Sequence, residues 1–270
     1  MAARELGRML FSGRTAMMVA ALIPAFNCED RIGGVVAGVA RFGLEVLVVD
    51  DGSQDDTTGA ARRAGARVVR RSQNGGKGDA TRSGLAVLLG EPHTHILMMD
   101  GDGQHDPEDI PKFLALAEEA DFLLGNRLWR REAIPPKRFW TNYIGTRALE
   151  LMSGFPLEDS QCGFRLVRAG LLRRMGLVGR RYAIDTEILV RAGKLRARFA
   201  HVPVQVIYDG SPSHFLAVRD TLHIVFSSVR FKVDEGDLRH DPGPELWRRM
   251  VTAPPVLPPL PPADESKPPA

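Results

Sequence analysis

Two apolar runs in this chain stop at paired carboxylates, and those carboxylates are the residues best suited to chemistry. Ile96 to Met99 runs into Asp100-Gly101-Asp102-Gly103-Gln104, and Glu45 to Val49 runs into Asp50-Asp51-Gly52-Ser53. Like charges held close are unfavourable unless a cation neutralises them. Hard oxygen donors suit Mg²⁺ or Mn²⁺, and Mg²⁺ is commonly shared between one or two carboxylates and substrate phosphates. The Asp100–Asp102 segment therefore reads as a cradle for a metal-bound diphosphate. An acidic turn without a ligand has the same composition, and the second acidic strand end, Asp50-Asp51, is what favours a site.

Other residues fit the same crevice. Asn74-Gly75-Gly76-Lys77-Gly78 opens a helix after a short strand; glycines admit a ligand to the backbone, and a helix N-terminus with a lysine favours an anion. The glycine spacing is not that of a Walker A loop. Gly125-Asn126-Arg127 ends a further strand and brings a guanidinium. Asp159-Ser160-Gln161-Cys162-Gly163-Phe164-Arg165 adds a carboxylate and an arginine. Asp185 and Glu187 precede an apolar stretch and read equally as helix-start acids. His214 lies in a loop before an amphipathic stretch. Asp55 and Asp56 need no ligand, because acids favour the start of a helix, where Ser53 is expected to cap.

These residues need a frame that brings strand ends together. Expected strands are Met17–Ile23, Glu45–Val49, Arg67–Arg70, Ile96–Met99, Phe122–Leu124 and His201–Ile207. Expected helices are Ile32–Arg41, Asp55–Ala64, Asp79–Leu88, about Pro107–Glu119 and Arg138–Met152; residues 162–175 and 185–195 read as mixed. Strands alternating with helices imply βαβ units and a parallel sheet, with ligands outside the carboxyl ends of its strands. Phe215, Val218, Leu222, Val225, Phe226 and Val229 form one face of a helix over 215–231. The organisation expected is a flexible leader over 1–14, one domain over 15–232, and a polar, then proline-rich, disordered tail over 233–270.

Composition bounds the function. Across 270 residues, 44% are hydrophobic and 26% charged, and 36 basic residues against 33 acidic give a net charge of +3. This is ordinary globular composition, and nothing in it calls for a nucleic-acid partner. The basic stretch Arg127–Arg138 could meet phosphates or a membrane surface, and the charged loop over 128–137 could close over a ligand. Cys28 and Cys162 lack metal-ligand spacing and read as free thiols of a reducing compartment. No apolar run approaches the ~18 residues of a membrane span. The expected location is the cytoplasm, with peripheral contact to the inner face of the membrane.

In order along the chain, Ile23-Pro24-Ala25-Phe26-Asn27, Val48-Val49-Asp50-Asp51-Gly52-Ser53, Asn74 with Gly76-Lys77-Gly78, Asp100-Gly101-Asp102-Gly103-Gln104, Gly125-Asn126-Arg127 and Asp159 with Gly163-Phe164-Arg165 resemble the family 2 glycosyltransferases of GT-A fold. Within them the pattern is similar to the dolichol- and polyprenyl-phosphate sugar synthases. The resemblance spans residues 17 to 232. It implies a Rossmann-like, mostly parallel sheet flanked by helices and an inverting transfer of mannose or glucose from a nucleoside-diphosphate sugar to a polyprenyl phosphate, dependent on Mg²⁺ or Mn²⁺. Carried over residue by residue, it implies that Pro24, Glu29, Asp50, Asp51, Lys77 and Asp100 bind the nucleotide sugar. Asp100, Asp102 and Gln104 would surround the cation. Arg127 and Arg138 would hold the acceptor phosphate, with Arg165, Glu187 and His214 nearby.

Asp102, Arg127 and Asp159 are the implied catalytic residues. An acid at the Asp159 position serves as general base in relatives with hydroxyl acceptors, whereas a phosphate acceptor needs only orientation from it. Cys28 interrupts the family's Asn-Glu pair before Glu29, and no membrane hairpins follow the catalytic region. Three rival readings share these residues: transfer to a hydroxyl acceptor, a nucleotidyltransferase, and an inactive sugar-nucleotide-binding protein.

Overall fold

The computed structural model describes residues 17–129, 134, 136–154, 156–179, 181–205 and 207. The expected leader, the 215–231 helix with His214, the tail, and half of the 128–137 loop lie outside the described residues.

Seven strands form one sheet in the order β3-β2-β1-β4-β6-β5-β7. They are β1 (Val19–Ala25), β2 (Glu45–Asp50), β3 (Arg67–Arg70), β4 (His95–Met98), β5 (Phe122–Asn126), β6 (Arg165–Arg168) and β7 (Phe199–Pro203). β1 pairs in parallel with β2 and β4, β2 with β3, and β5 with β7, while β6 runs antiparallel between β4 and β5. Every strand but β6 therefore ends at the same edge, and β6 begins there. The helices are α1 (Glu29–Ala40), α2 (Thr57–Arg63), α3 (Lys77–Leu88), α4 (Ile110–Leu116), α5 (Pro136–Ser153), α6 (Ala169–Arg173) and α7 (Ala183–Lys194).

The central strands are apolar runs because helices cover both faces: Leu22, Ile23, Leu47, Val48, Ile96 and Leu97 have no solvent exposure. α3 lies close on β1 and β2 because Gly84 faces them; a Cβ there would collide with Leu22.

Several boundaries differ from expectation. β1 continues through Pro24 to Ala25, because its register with β2 persists to Ala25↔Asp50. α1 starts three residues early, where the Cys28 carbonyl accepts from Arg31 and Ile32 and Glu29 and Asp30 meet the positive helix end. The expected helix from Pro107 divides into a 3₁₀ turn (Pro107–Asp109), capped by Asp106 accepting from the Glu108 amide, and α4. β7 lies at Phe199–Pro203 rather than His201–Ile207, paired with β5 and fixed by Phe199 stacking on Phe122 at 4.8 Å. Ser53 does not cap α2: its hydroxyl accepts from the Asn27 amide, and Asp55 accepts from the Thr57 amide instead.

Candidate active site

The common strand edge gathers the ends of β1, β2, β4 and β5, the start of β6, the N-terminus of α3 and one turn of α7. Lys77 stands at its centre. The ammonium lies 2.6 Å from Asp100 Oδ1 and 3.0 Å from Asp185 Oδ2. Burial alone would lower the lysine pKa, but Asp100 and Asp185 outweigh it and raise it above the ordinary value. Asp100 is the reverse case: burial opposes its charge, and Lys77 with His105 holds its pKa well below the ordinary carboxylate range. His105 Nε2 lies 3.4 Å from Asp100 Oδ2. Gly163, next to the start of β6, makes the close approach possible, since a Cβ there would collide with the Asp100 carboxylate.

Asp102 is half-buried beside this cluster. Its Oδ1 accepts from the Gln104 amide at 3.0 Å, which shapes the turn and leaves Oδ2 without a hydrogen bond among the described residues. Carboxylate and amide oxygens of the types on Asp100, Asp102 and Gln104 are those Mg²⁺ and Mn²⁺ take; here the Asp100 oxygens face Lys77 and His105.

The other acidic strand end is enclosed. Asp50 has no solvent exposure; it accepts from the Ser53 amide at 2.8 Å and the Thr58 hydroxyl, with Arg70 at 3.7 Å. These contacts close the turn after β2 around the carboxylate expected at the donor. Asp51, also expected at the donor, is 2% exposed. Its carboxylate accepts from the amides of Gly75 and Gly76, at 3.1 and 2.6 Å, and pairs with Arg71. It fixes the turn from which Lys77 projects.

At the end of β5, Arg127 and Asp159 form a two-pronged ion pair, Nε–Oδ2 2.7 Å and Nη2–Oδ1 2.9 Å, and the Arg127 amide adds a bond of 3.1 Å. Asp159 is fully buried, which raises its pKa, but Arg127 prevails and the pKa is lowered. A carboxylate engaged this way is a counter-ion and a weak proton acceptor.

Arg165 and Glu187, expected at the acceptor, are both wholly buried. Arg165 donates to the carbonyls of Cys162, Ser160 and Asp185 and lies 3.3 Å from Asp185 Oδ1. Glu187 accepts from the amides of Val178 and Gly179 and pairs with Arg191 at 2.8 Å. Arg165 orients Asp185, and Glu187 ties the 178–179 loop to α7. Pro24 sits half-buried at the end of β1. Glu29 is exposed, its carboxylate accepting from the Asp56 amide at 2.7 Å. Arg138 lies on the first turn of α5, its side chain outside the described residues.

Sequence reasoning left His105 out and left Asp185 undecided against Glu187. The one sequence signal for His105 is its place in the segment that holds Asp100 and Asp102. The two thiols are reduced, and burial pushes Cys28 up to about 11 and Cys162 up to about 12, so neither supplies a nucleophile near neutral pH.

The profile described as "Glycosyl transferase family 2" matches residues 20–176. An uncharacterised protein of Methanocaldococcus jannaschii is 31% identical over 78% of this chain and 97% of its own length. An undecaprenyl-phosphate mannosyltransferase of Micrococcus luteus is 29% identical over 71% of this chain and 84% of that protein. Among solved structures, glucosyl-3-phosphoglycerate synthase of Mycobacterium tuberculosis, crystallised with Mn²⁺, UDP and phosphoglyceric acid, superposes with a TM-score of 0.69 at 19% identity, covering 86% of this chain and 84% of that one. The fold is GT-A.

Proposed function

The chain belongs to glycosyl transferase family 2, and we propose that it transfers a hexose, mannose or glucose, with inversion from a nucleoside-diphosphate sugar to a polyprenyl phosphate. The observation that carries the acceptor class is the Arg127–Asp159 pair. A hydroxyl acceptor must lose a proton to a base, and the carboxylate expected there is committed to a guanidinium through both oxygens. A phosphate arrives already ionised and needs only to be held. The M. luteus relative, named an undecaprenyl-phosphate mannosyltransferase, supports the same class.

In this reading an acceptor phosphate oxygen forms a bond to the anomeric carbon as the bond from that carbon to the donor diphosphate breaks, and the electron pair leaves with the nucleoside diphosphate. Lys77 exchanges its carboxylate partners for the diphosphate, and the helix start behind it adds amide donors. Asp51 holds the turn that aims Lys77. Arg127, steadied by Asp159, faces the acceptor phosphate and orients it for attack, the role that the sequence also assigns to Arg138. Pro24 and Glu29 flank the nucleotide. Asp100, Asp102 and Gln104 would hold Mg²⁺ or Mn²⁺, which supplies Lewis-acid stabilisation of charge on the leaving diphosphate.

No described helix is long and apolar enough to cross a membrane. A lipid-borne acceptor nevertheless fits α5, which exposes Trp140, Tyr143, Ile144 and Leu151 on one face and buries Asn142 and Thr146 on the other. Such a face suits the headgroup region of a bilayer.

The test is donor turnover. The purified chain with Mg²⁺ or Mn²⁺ is offered UDP- and GDP-sugars with and without a short polyprenyl phosphate, and released nucleoside diphosphate is followed. Release that requires the lipid phosphate is expected. Release that ignores it, and requires an added glycan or small hydroxylated molecule instead, overturns the acceptor assignment.

A further inference from the structure

Asp100 is held through both of its carboxylate oxygens, by Lys77 at Oδ1 (2.6 Å) and by His105, whose Nε2 lies 3.4 Å from Oδ2. The transfer proposed above gives Lys77 a diphosphate to hold and gives His105 no part. Yet the imidazole is firmly built in. It is 4% exposed, its ring lies 5.3 Å from that of Phe164, and Phe164 lies 4.5 Å from Phe113. The chain on either side of it is fixed as well: the Gln104 carbonyl accepts from the Ile207 amide at 3.1 Å, and Asp106 caps the 3₁₀ turn that follows.

For packing alone, an aromatic hydrocarbon would suit this place better. A carboxylate only accepts, so the hydrogen facing Asp100 sits on Nε2. Nδ1 is buried and has no hydrogen-bond partner among the described residues, which is unfavourable for a ring nitrogen. What distinguishes His105 from a phenylalanine is therefore its contact with Asp100. That contact falls on the more enclosed oxygen, since a Cβ on Gly163 would collide with Oδ2. Oδ1 is the oxygen that Lys77 can give up. The terminal torsion of an aspartate is broad, so a carboxylate released by its ammonium turns unless another group holds it.

We propose that His105 is a positioning residue for the divalent cation: by holding Oδ2 it keeps Oδ1 of Asp100 aimed into the crevice when Lys77 turns to the diphosphate. The role rests on the reading in which Asp100 is a cation ligand. His105 acts through Asp100, as the hydrogen-bond partners of ligating side chains do, and loss of such a partner typically weakens metal affinity about 10- to 100-fold. The effect belongs to cation binding and not to the rate once the cation is bound.

The test is the Mn²⁺ affinity of the full chain, read from the free-ion signal in electron paramagnetic resonance, together with the Mn²⁺ dependence of turnover. His105→Phe keeps a ring against Phe164 and removes the donor; if circular dichroism shows it unfolded, His105→Leu takes its place. Expected are a loss of Mn²⁺ affinity of about tenfold or more, a matching rise in the Mn²⁺ activation constant, and a kcat at saturating Mn²⁺ within about threefold of the unaltered chain. His105→Gln, whose amide can donate to Oδ2, is expected to recover part of the affinity. Unchanged affinity in H105F, or a loss in H105Q as large as in H105F, overturns the role of His105 and leaves the cation assignment standing. No Mn²⁺ binding by the unaltered chain, or binding that Asp102→Ala leaves intact, overturns that assignment and the role of His105 with it.

Discussion

The ends of β2 and β4 look alike as sequence and differ as structure. Each closes an apolar run with aspartates at the same edge of the sheet, yet Asp50 and Asp51 are enclosed, whereas the Asp100 side chain is 29% exposed and Asp102 is half-buried. Position in the sheet accounts for the difference. The order β3-β2-β1-β4 places the switch in strand order between the parallel neighbours β1 and β4, the place where open α/β sheets leave a crevice. The β2 end lies one strand away, and the chain from Ser53 to Thr58, with Gly75 and Gly76, folds over it and satisfies its carboxylates. Equal chemistry thus becomes an enclosed turn at one strand end and a partly exposed ionic cluster at the other.

Substitutions can break that contrast. Asp102→Ala is expected to cut metal-dependent turnover by at least ~100-fold while the melting temperature stays near the unaltered chain's, since the residue makes one turn hydrogen bond; near-normal turnover would remove the β4 end from the chemistry. Lys77→Met should raise donor KM by about tenfold, read from initial rates over a donor series, because Asp100 and Asp185 are left facing each other and the diphosphate. Asp50→Asn should cost about 2 kcal/mol of stability in a denaturant titration and leave turnover per folded molecule within about threefold; lost turnover with unchanged stability would make the β2 end a ligand site after all.

The smallest effect expected is no effect. The Asp100 pKa is lowered, so its charge is lost only as pH falls below the ordinary carboxylate range; the Lys77 pKa is raised, so its charge is lost only as pH rises beyond the ordinary lysine range. Donor KM should be flat between about pH 5 and 9. An acidic limb near neutrality would show that the pair is not what binds donor.

Periodicity made the parallel half of the sheet legible, because its strands are buried on both faces and read as apolar runs. It failed where polar residues are interior. β6 reads Arg-Leu-Val-Arg, and its first arginine is fully buried on carbonyls from three other residues. α7 buries Thr186, Glu187 and Arg191, which blurs the apolar face a helix is recognised by. At the site, each charged residue near a strand end was visible, but its partner was not. Asp185 meets Lys77, and Asp159 meets Arg127, through folding over long stretches of chain. Spacing carries no record of such pairs, so the protein contacts that Asp50, Arg165 and Glu187 make could not be read beforehand.

The bridge that Lys77 makes between two carboxylates has a consequence for the order of events. In the proposed function it would act as an ion exchanger: a diphosphate that takes the ammonium would release Asp100, and a cation that takes Asp100 would release the ammonium. Each arrival prepares the place of the other, and by reciprocity the two affinities rise by the same factor. Donor and divalent cation are therefore expected to load as one cooperative unit, each half-filled state left with an unmatched charge.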